Sequence, residues 1–184
     1  MDQGLLPRRY AKATLELADE KGTAADVYSA LTALNAAFAA EPGLQKALEN
    51  PHVAPAQKEG LVETALGGKD TPGAETVRDL VRLMERNHRL ALLQQTALAY
   101  VGLYRAERKI FSVEITSAAP LEPSELQRIQ TLVKNHLPAG STAEFAEAVD
   151  PELIGGFTVK VGNDLLDASV ANDLKQLRLK LLSH

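Results

Sequence analysis

From Pro7 to Tyr104 the apolar positions recur every three or four residues, and from Lys109 they begin to alternate. This change of period predicts a helical first part and a mixed second part. A first helix is predicted from about Pro7 to Lys21, with proline in its first turn, where the missing N–H costs no hydrogen bond. It carries two stripes: Ala11, Leu15 and Ala18, and beside them Tyr10, Thr14 and Leu17. Gly22 stops it. Thr23 with Asp26 three residues on resembles a capping box and starts a second helix, which buries Val27, Leu31, Leu34 and Phe38 and ends before Pro42. A short third helix uses Leu44, Ala47 and Leu48 and stops at Asn50-Pro51. Pro55 opens a fourth, with Leu61, Val62, Ala65 and Leu66, ended by Gly67-Gly68. The stretch Lys69 to Gly73 reads as an exposed loop. A fifth helix carries Val77, Leu80, Val81 and Met84 and ends near Asn87-His88, and a sixth carries Leu90, Leu93, Ala97, Tyr100, Val101 and Tyr104. Six short amphipathic helices with short loops predict a compact antiparallel bundle, and twelve alanines in residues 1–50 allow the helices to approach closely.

Beyond Lys109, Phe111, Val113 and Ile115 alternate with Ser112, Glu114 and Thr116, the pattern of a half-buried strand. Pro123, between Glu122 and Glu125, opens a helix bearing Leu126, Ile129, Val133 and Leu137, which Pro138-Ala139-Gly140 ends. Thr142 to Val149 reads as a further strand, blurred by its alanines. Gly155-Gly156 breaks the chain before a strand through Phe157, Val159 and Val161. Gly162-Asn163-Asp164 turns it, and Leu165-Leu166-Asp167 pairs back. Ser169 is expected to cap a closing helix with Val170, Leu174, Leu177 and Leu181 on one face, packed on that sheet. The whole is expected to be mainly α: a six-helix bundle over 1–107 followed by a small α+β domain over 108–184, with no long linker between them.

Composition narrows the function classes. The net charge is −4, and residues 1–108 carry 13 basic and 14 acidic side chains against 7 and 10 in 109–184, so neither part has a nucleic-acid footprint. Aromatic residues are 4%, too few for a base-stacking platform. No cysteine is present for disulfides, thiolate metal sites or nucleophilic catalysis. No apolar run approaches the roughly 18 residues that span a bilayer, and MDQGLLPRRYAK has no apolar signal core, which predicts a cytosolic chain without direct membrane insertion.

Candidate chemistry is thin. Gly68-Lys69 lacks the upstream glycine and the following Ser or Thr of a phosphate loop, since Glu63 and Asp70 stand there. His52, His88, His136 and His184 share no metal spacing. Ser169 has no nucleophile-elbow setting. Glu144, Glu147, Asp150 and Glu152 read as a solvated edge, and Asp164 and Asp167 as turn residues. No catalytic residue, cofactor site or metal site is assigned.

The order of short motifs resembles the delta subunits of F-type ATP synthases, whose mitochondrial counterpart is the oligomycin-sensitivity-conferring protein. The tail motif is Asp150-Pro151, Leu153-Ile154-Gly155-Gly156, a short strand, then Gly162-Asn163-Asp164-Leu165-Leu166-Asp167 and Ser169. Arg9-Tyr10-Ala11-Lys12-Ala13, Asn50-Pro51, Glu85-Arg86-Asn87-His88-Arg89-Leu90 and Val113-Glu114-Ile115-Thr116-Ser117-Ala118 extend the similarity over nearly the whole chain. The resemblance implies a non-catalytic stator part in one copy per hetero-oligomeric complex, at the cytoplasmic face of a bacterial plasma membrane. Its helical domain is expected to grip N-terminal segments of alpha subunits, and its second domain the C-termini of peripheral-stalk b subunits. It also implies a head-binding groove between the first and fifth helices. There the residue patterns nominate Tyr10, Ala13, Thr14, Leu17, Leu80, Leu83 and Met84, with Tyr10 and Met84 as anchors. The stalk-contacting residues stay unassigned. Two other classes remain open at this point, a free-standing helix-binding adaptor and a small enzyme with scattered site residues.

Overall fold

The computed structural model describes residues 4–68, 73–153, 155–162 and 164–169. It is mainly helical, with a four-stranded sheet near the C-terminus, and it divides into two compact units, Met1–Ala106 and Glu107–His184.

In the first unit, α1 (Leu5–Glu20), α2 (Ala24–Ala40), α3 (Pro42–Glu49), α4 (Pro55–Ala65), α5 (Ala74–Arg86) and α6 (Leu93–Arg108) follow the predicted order, with a 3-10 turn over Leu90–Leu92. One core joins them: Ala11, Leu15 and Ala18 meet Val27, Leu31 and Leu34 of α2, Val77, Val81 and Met84 of α5, and Leu93 and Tyr100 of α6. The Tyr100 ring is fully buried and its hydroxyl donates to the Ala24 carbonyl at 3.2 Å, so its polar tip is satisfied inside the core.

Three helices end in the same way. After α1, Gly22 adopts φ +69, its N–H reaches the Asp19 carbonyl, and the Thr23 N–H reaches Ala18 at 2.8 Å. Gly67-Gly68 close α4 with the equivalent pair of bonds to Thr64 and Glu63, which is the helix-ending role in place of a phosphate loop. His88 does the same for α5 at φ 54, a conformation a side chain adopts at some cost.

Three expectations need correction here, and one ion pair is new. The Thr23 hydroxyl makes no cap bond and has no partner, because the Thr23 backbone already closes α1 and takes φ −109, ψ 13. Leu61 is exposed, since α4 turns Val62 and Lys58 inward instead. The Lys58 ammonium lies 3.4 Å from Glu85 of α5, a buried pairing no apolar pattern reveals. Gly73 is not loop surface: an added Cβ would lie 2.6 Å from the Asp26 carbonyl carbon and the Val27 nitrogen, so α2 and the start of α5 touch backbone to backbone. The rest of that loop, residues 69–72, lies outside the described residues.

In the second unit, β1 (Ile110–Ser117), α7 (Pro123–His136), β2 (Thr142–Val149), β3 (Gly156–Val161) and β4 (Asp164–Ser169) form a sheet of order β2-β1-β3-β4. β1 and β2 run parallel around α7, while β1–β3 and β3–β4 are antiparallel. Val113 and Ile115 face Ile129 of α7, with Val159 beside Ile115 in register, and these four make the buried centre. Gly155 and Gly156 both have positive φ, +72 and +78, where the chain turns into β3. Ser169, expected as a helix cap, instead pairs with Gly156 at the end of β4. The stripe of Val170, Leu174, Leu177 and Leu181 lies outside the described residues.

Candidate partner-binding groove

α1 and α5 pack side by side and run antiparallel, as two polar bridges between them show. At one end the Tyr10 hydroxyl accepts from the Asn87 amide at 3.1 Å and from an Arg89 guanidinium N–H at 3.4 Å. At the other, the Lys21 ammonium lies 3.8 Å from Asp79. Asp79 and Asn87 stand four residues before and after Leu83, so Leu83 lies on the flank of α5 that faces α1. On α1, Leu17 lies between Tyr10 and Lys21 on the matching flank, with Ala13 one turn before it. Leu17 is 37% and Leu83 48% exposed, although each is flanked on its own helix by side chains that reach the other helix. Exposed apolar side chains of both helices thus lie along the α1–α5 seam between polar contacts at its two ends, a candidate furrow.

The nominated residues divide by burial. Tyr10 is half-buried, Ala13 is exposed, and Leu17 and Leu83 offer apolar surface. Thr14 is buried, its hydroxyl donating to the Tyr10 carbonyl at 2.9 Å, so it presents a low wall to the furrow. Leu80 is 4% and Met84 0% exposed. Met84 therefore offers no surface to a guest; its flexible side chain completes the core under α5, and the anchor role nominated for it goes with that.

A family sequence model described as ATP synthase delta (OSCP) subunit matches residues 6–181. The chain belongs to the ATP synthase delta (OSCP) subunit family. Similar curated proteins, named ATP synthase subunit delta, come from Phocaeicola vulgatus (36% identical, covering 98% of this chain and 95% of the relative) and Parabacteroides distasonis (36%, covering 100% and 99%). Another from Laribacter hongkongensis is 36% identical over 96% of each chain. Among solved structures, a chain of the Toxoplasma gondii mitochondrial ATP synthase hexamer has the same fold, with a TM-score of 0.67 at 24% identity, covering 96% of this chain and 97% of that one.

For a delta (OSCP) family chain, the second unit also carries exposed apolar residues. A cleft between α7 and the glycine turn is lined by Leu121, Ile129, Leu132 and Phe157, with Glu125 and Arg128 at its rim. Leu132 is 60% exposed, and Leu166 remains 61% exposed although it stands opposite Val159 on the face that α7 covers elsewhere. Among the described residues no group of three or more His, Asp or Glu side chains could hold a metal ion, and no helix is long and apolar enough to cross a membrane. His136 bonds the Leu132 carbonyl at 2.8 Å at the end of α7.

The linear pattern gave no sign that Asn87, Arg89, Lys21 and Asp79 bridge α1 and α5. The Glu85-to-Leu90 motif of the family contains two of them, so the signal was present as a resemblance without a geometric role. Nor did the pattern show the ladder that locks α4 to α5: Arg82 to Glu59 at 3.2 Å and Arg78 to Glu63 at 3.6 Å, beside Lys58–Glu85. The hydrogen bond from Arg82 to Glu59, and then the nearby carboxylate charge, hold that guanidinium above its ordinary pKa.

Proposed function

We propose that this chain is a non-catalytic stator subunit of an F-type proton-translocating ATP synthase. The helical part, 1–107, acts as a six-helix bundle that holds the alpha/beta catalytic head, and the α+β part, 108–184, holds the C-termini of the b-subunit stalk. The tie keeps the head from turning with the rotor, so that torque drives ATP synthesis. The subunit is present in one copy and is peripheral at the cytoplasmic face of the plasma membrane, held there by the complex.

The observation that carries this reading is the furrow between α1 and α5 in a chain of this family. Leu17 and Leu83 leave apolar surface uncovered between two helices, which an amphipathic guest helix covers with its own apolar face. The guest in this reading is the N-terminal helix of an alpha subunit. Tyr10 anchors one end, Ala13 and Thr14 let the guest backbone approach, and Leu80 and Met84 support the floor from below.

The test is a titration of the full chain with a synthetic peptide of the alpha-subunit N-terminus. Leu83→Asp places a charge where the guest's apolar face lands, and Tyr10→Ala removes the amphipathic anchor. Each is expected to weaken binding by about 2 kcal/mol, roughly thirtyfold, with thermal unfolding near that of the parent chain. Unchanged affinity in both would move the site elsewhere. A pull-down from membranes separates the stator from a free-standing adaptor: a stator copurifies with alpha, beta and b chains.

A further inference from the structure

Charge is not spread evenly along the furrow, and this bears on which guest it accepts; the inference rests on the groove reading above. At the Tyr10 end, Arg9 stands four residues before Ala13, and Arg86 three residues after Leu83, so both guanidiniums rise from the flanks that carry the apolar lining. Arg89 adds a third cation there, next to Tyr10. All three arginines are exposed, and none is in an ion pair among the described residues. At the opposite end Glu20, three residues after Leu17, and Asp79 are exposed, with Lys21 offsetting one of them. Because α1 and α5 are antiparallel, their helix dipoles oppose one another at each end, and the side chains set the sign of the local field.

We infer that the furrow selects its guest by charge order: it takes an amphipathic helix with carboxylates at the end lying over Arg9 and Arg86, and without them at the end over Glu20 and Asp79. A guest laid in the reverse direction brings its carboxylates over Glu20 and Asp79 and leaves Arg9 and Arg86 without a counter-charge, so both ends favour the one direction. Exposed pairs of this kind contribute little each and act mainly on encounter rate and orientation, while the apolar floor supplies the affinity.

The experiment titrates the full chain with the alpha-subunit N-terminal peptide and with a version whose acidic residues are changed to glutamine. The chain variants are the double substitution Arg9→Gln with Arg86→Gln, and separately Leu83→Asp. Both arginines are exposed and outside the core, so the double variant keeps the fold. At about 50 mM salt it should bind the acidic peptide about fivefold more weakly, chiefly through slower association, and the gap should close at about 0.5 M salt. The glutamine peptide should show the same loss on the parent chain and no additional loss on the double variant, the mark of a direct pairing. Independent, additive losses, or no loss in the double variant while Leu83→Asp abolishes binding, would overturn the charge order and leave the groove standing. If Leu83→Asp also binds normally, the groove reading itself fails.

Discussion

At the scale of single residues, Gly73 is the position with least latitude. It combines φ +78 with a Cβ direction that ends 2.6 Å from the backbone of Asp26 and Val27. Gly73→Ala is expected to lower stability by about 2–4 kcal/mol in urea unfolding, since backbone cannot yield as a side-chain tip can. The Lys58–Glu85 pair makes a second test. Lys58 has a side chain only 8% exposed against 23% for Glu85, so the cation bears more of the desolvation. Glu85→Gln, which strands it, should cost about 2–4 kcal/mol, and replacing both by apolar residues of similar volume should cost far less. A double-mutant cycle by denaturant titration distinguishes this from simple loss of contact. Neither feature was legible from the sequence: Gly73 looked like ordinary loop glycine, and a lysine between Gln57 and Glu59 gives no apolar signal of burial.

At the scale of elements, periodicity carried far. The spacing of Val77, Leu80, Val81 and Met84 was read as a helix, and all four are buried in α5, Leu80 and Met84 among them although they were nominated for the groove. The strand through Val113 and Ile115 was equally plain, because their alternation survives in the burial of β1. β2 was faint, since its alanines flatten the contrast and its parallel neighbour lies thirty or so residues back, a pairing that no local pattern encodes. Helix docking angles are likewise absent from a linear pattern, so the α4–α5 ion pairs and the bridges at the two ends of the furrow could not be anticipated. Helix ends were half legible. The glycine stops at Gly22 and Gly67 were read correctly, yet Thr23 was given a capping duty while its backbone was already committed to closing α1. His88 closes α5 in the left-handed conformation that glycine adopts freely at the equivalent place in α1. His88→Gly is therefore expected to raise stability by about 0.5–1 kcal/mol, read as a higher denaturant midpoint at unchanged slope.

At the scale of the whole molecule, the buried apolar side chains among the described residues form two clusters, one of twenty-one from α1 to α6 and one of four around Val113. A fragment covering residues 1–106 should fold alone with an almost purely helical circular dichroism spectrum and a cooperative thermal transition; strand signal or an unfolded fragment would count against the boundary. The passage from helix to strand is short. α6 runs to Arg108 and β1 starts at Ile110, so a single residue, Lys109, joins a helix of the first unit to the central strand of the second. It is locked at φ 53, and its carbonyl accepts the Thr142 N–H at 3.1 Å at the start of β2. One residue therefore carries the whole change from helix to strand, and a substitution at Lys109 that disfavours positive φ acts on the end of α6 and the start of β1 together.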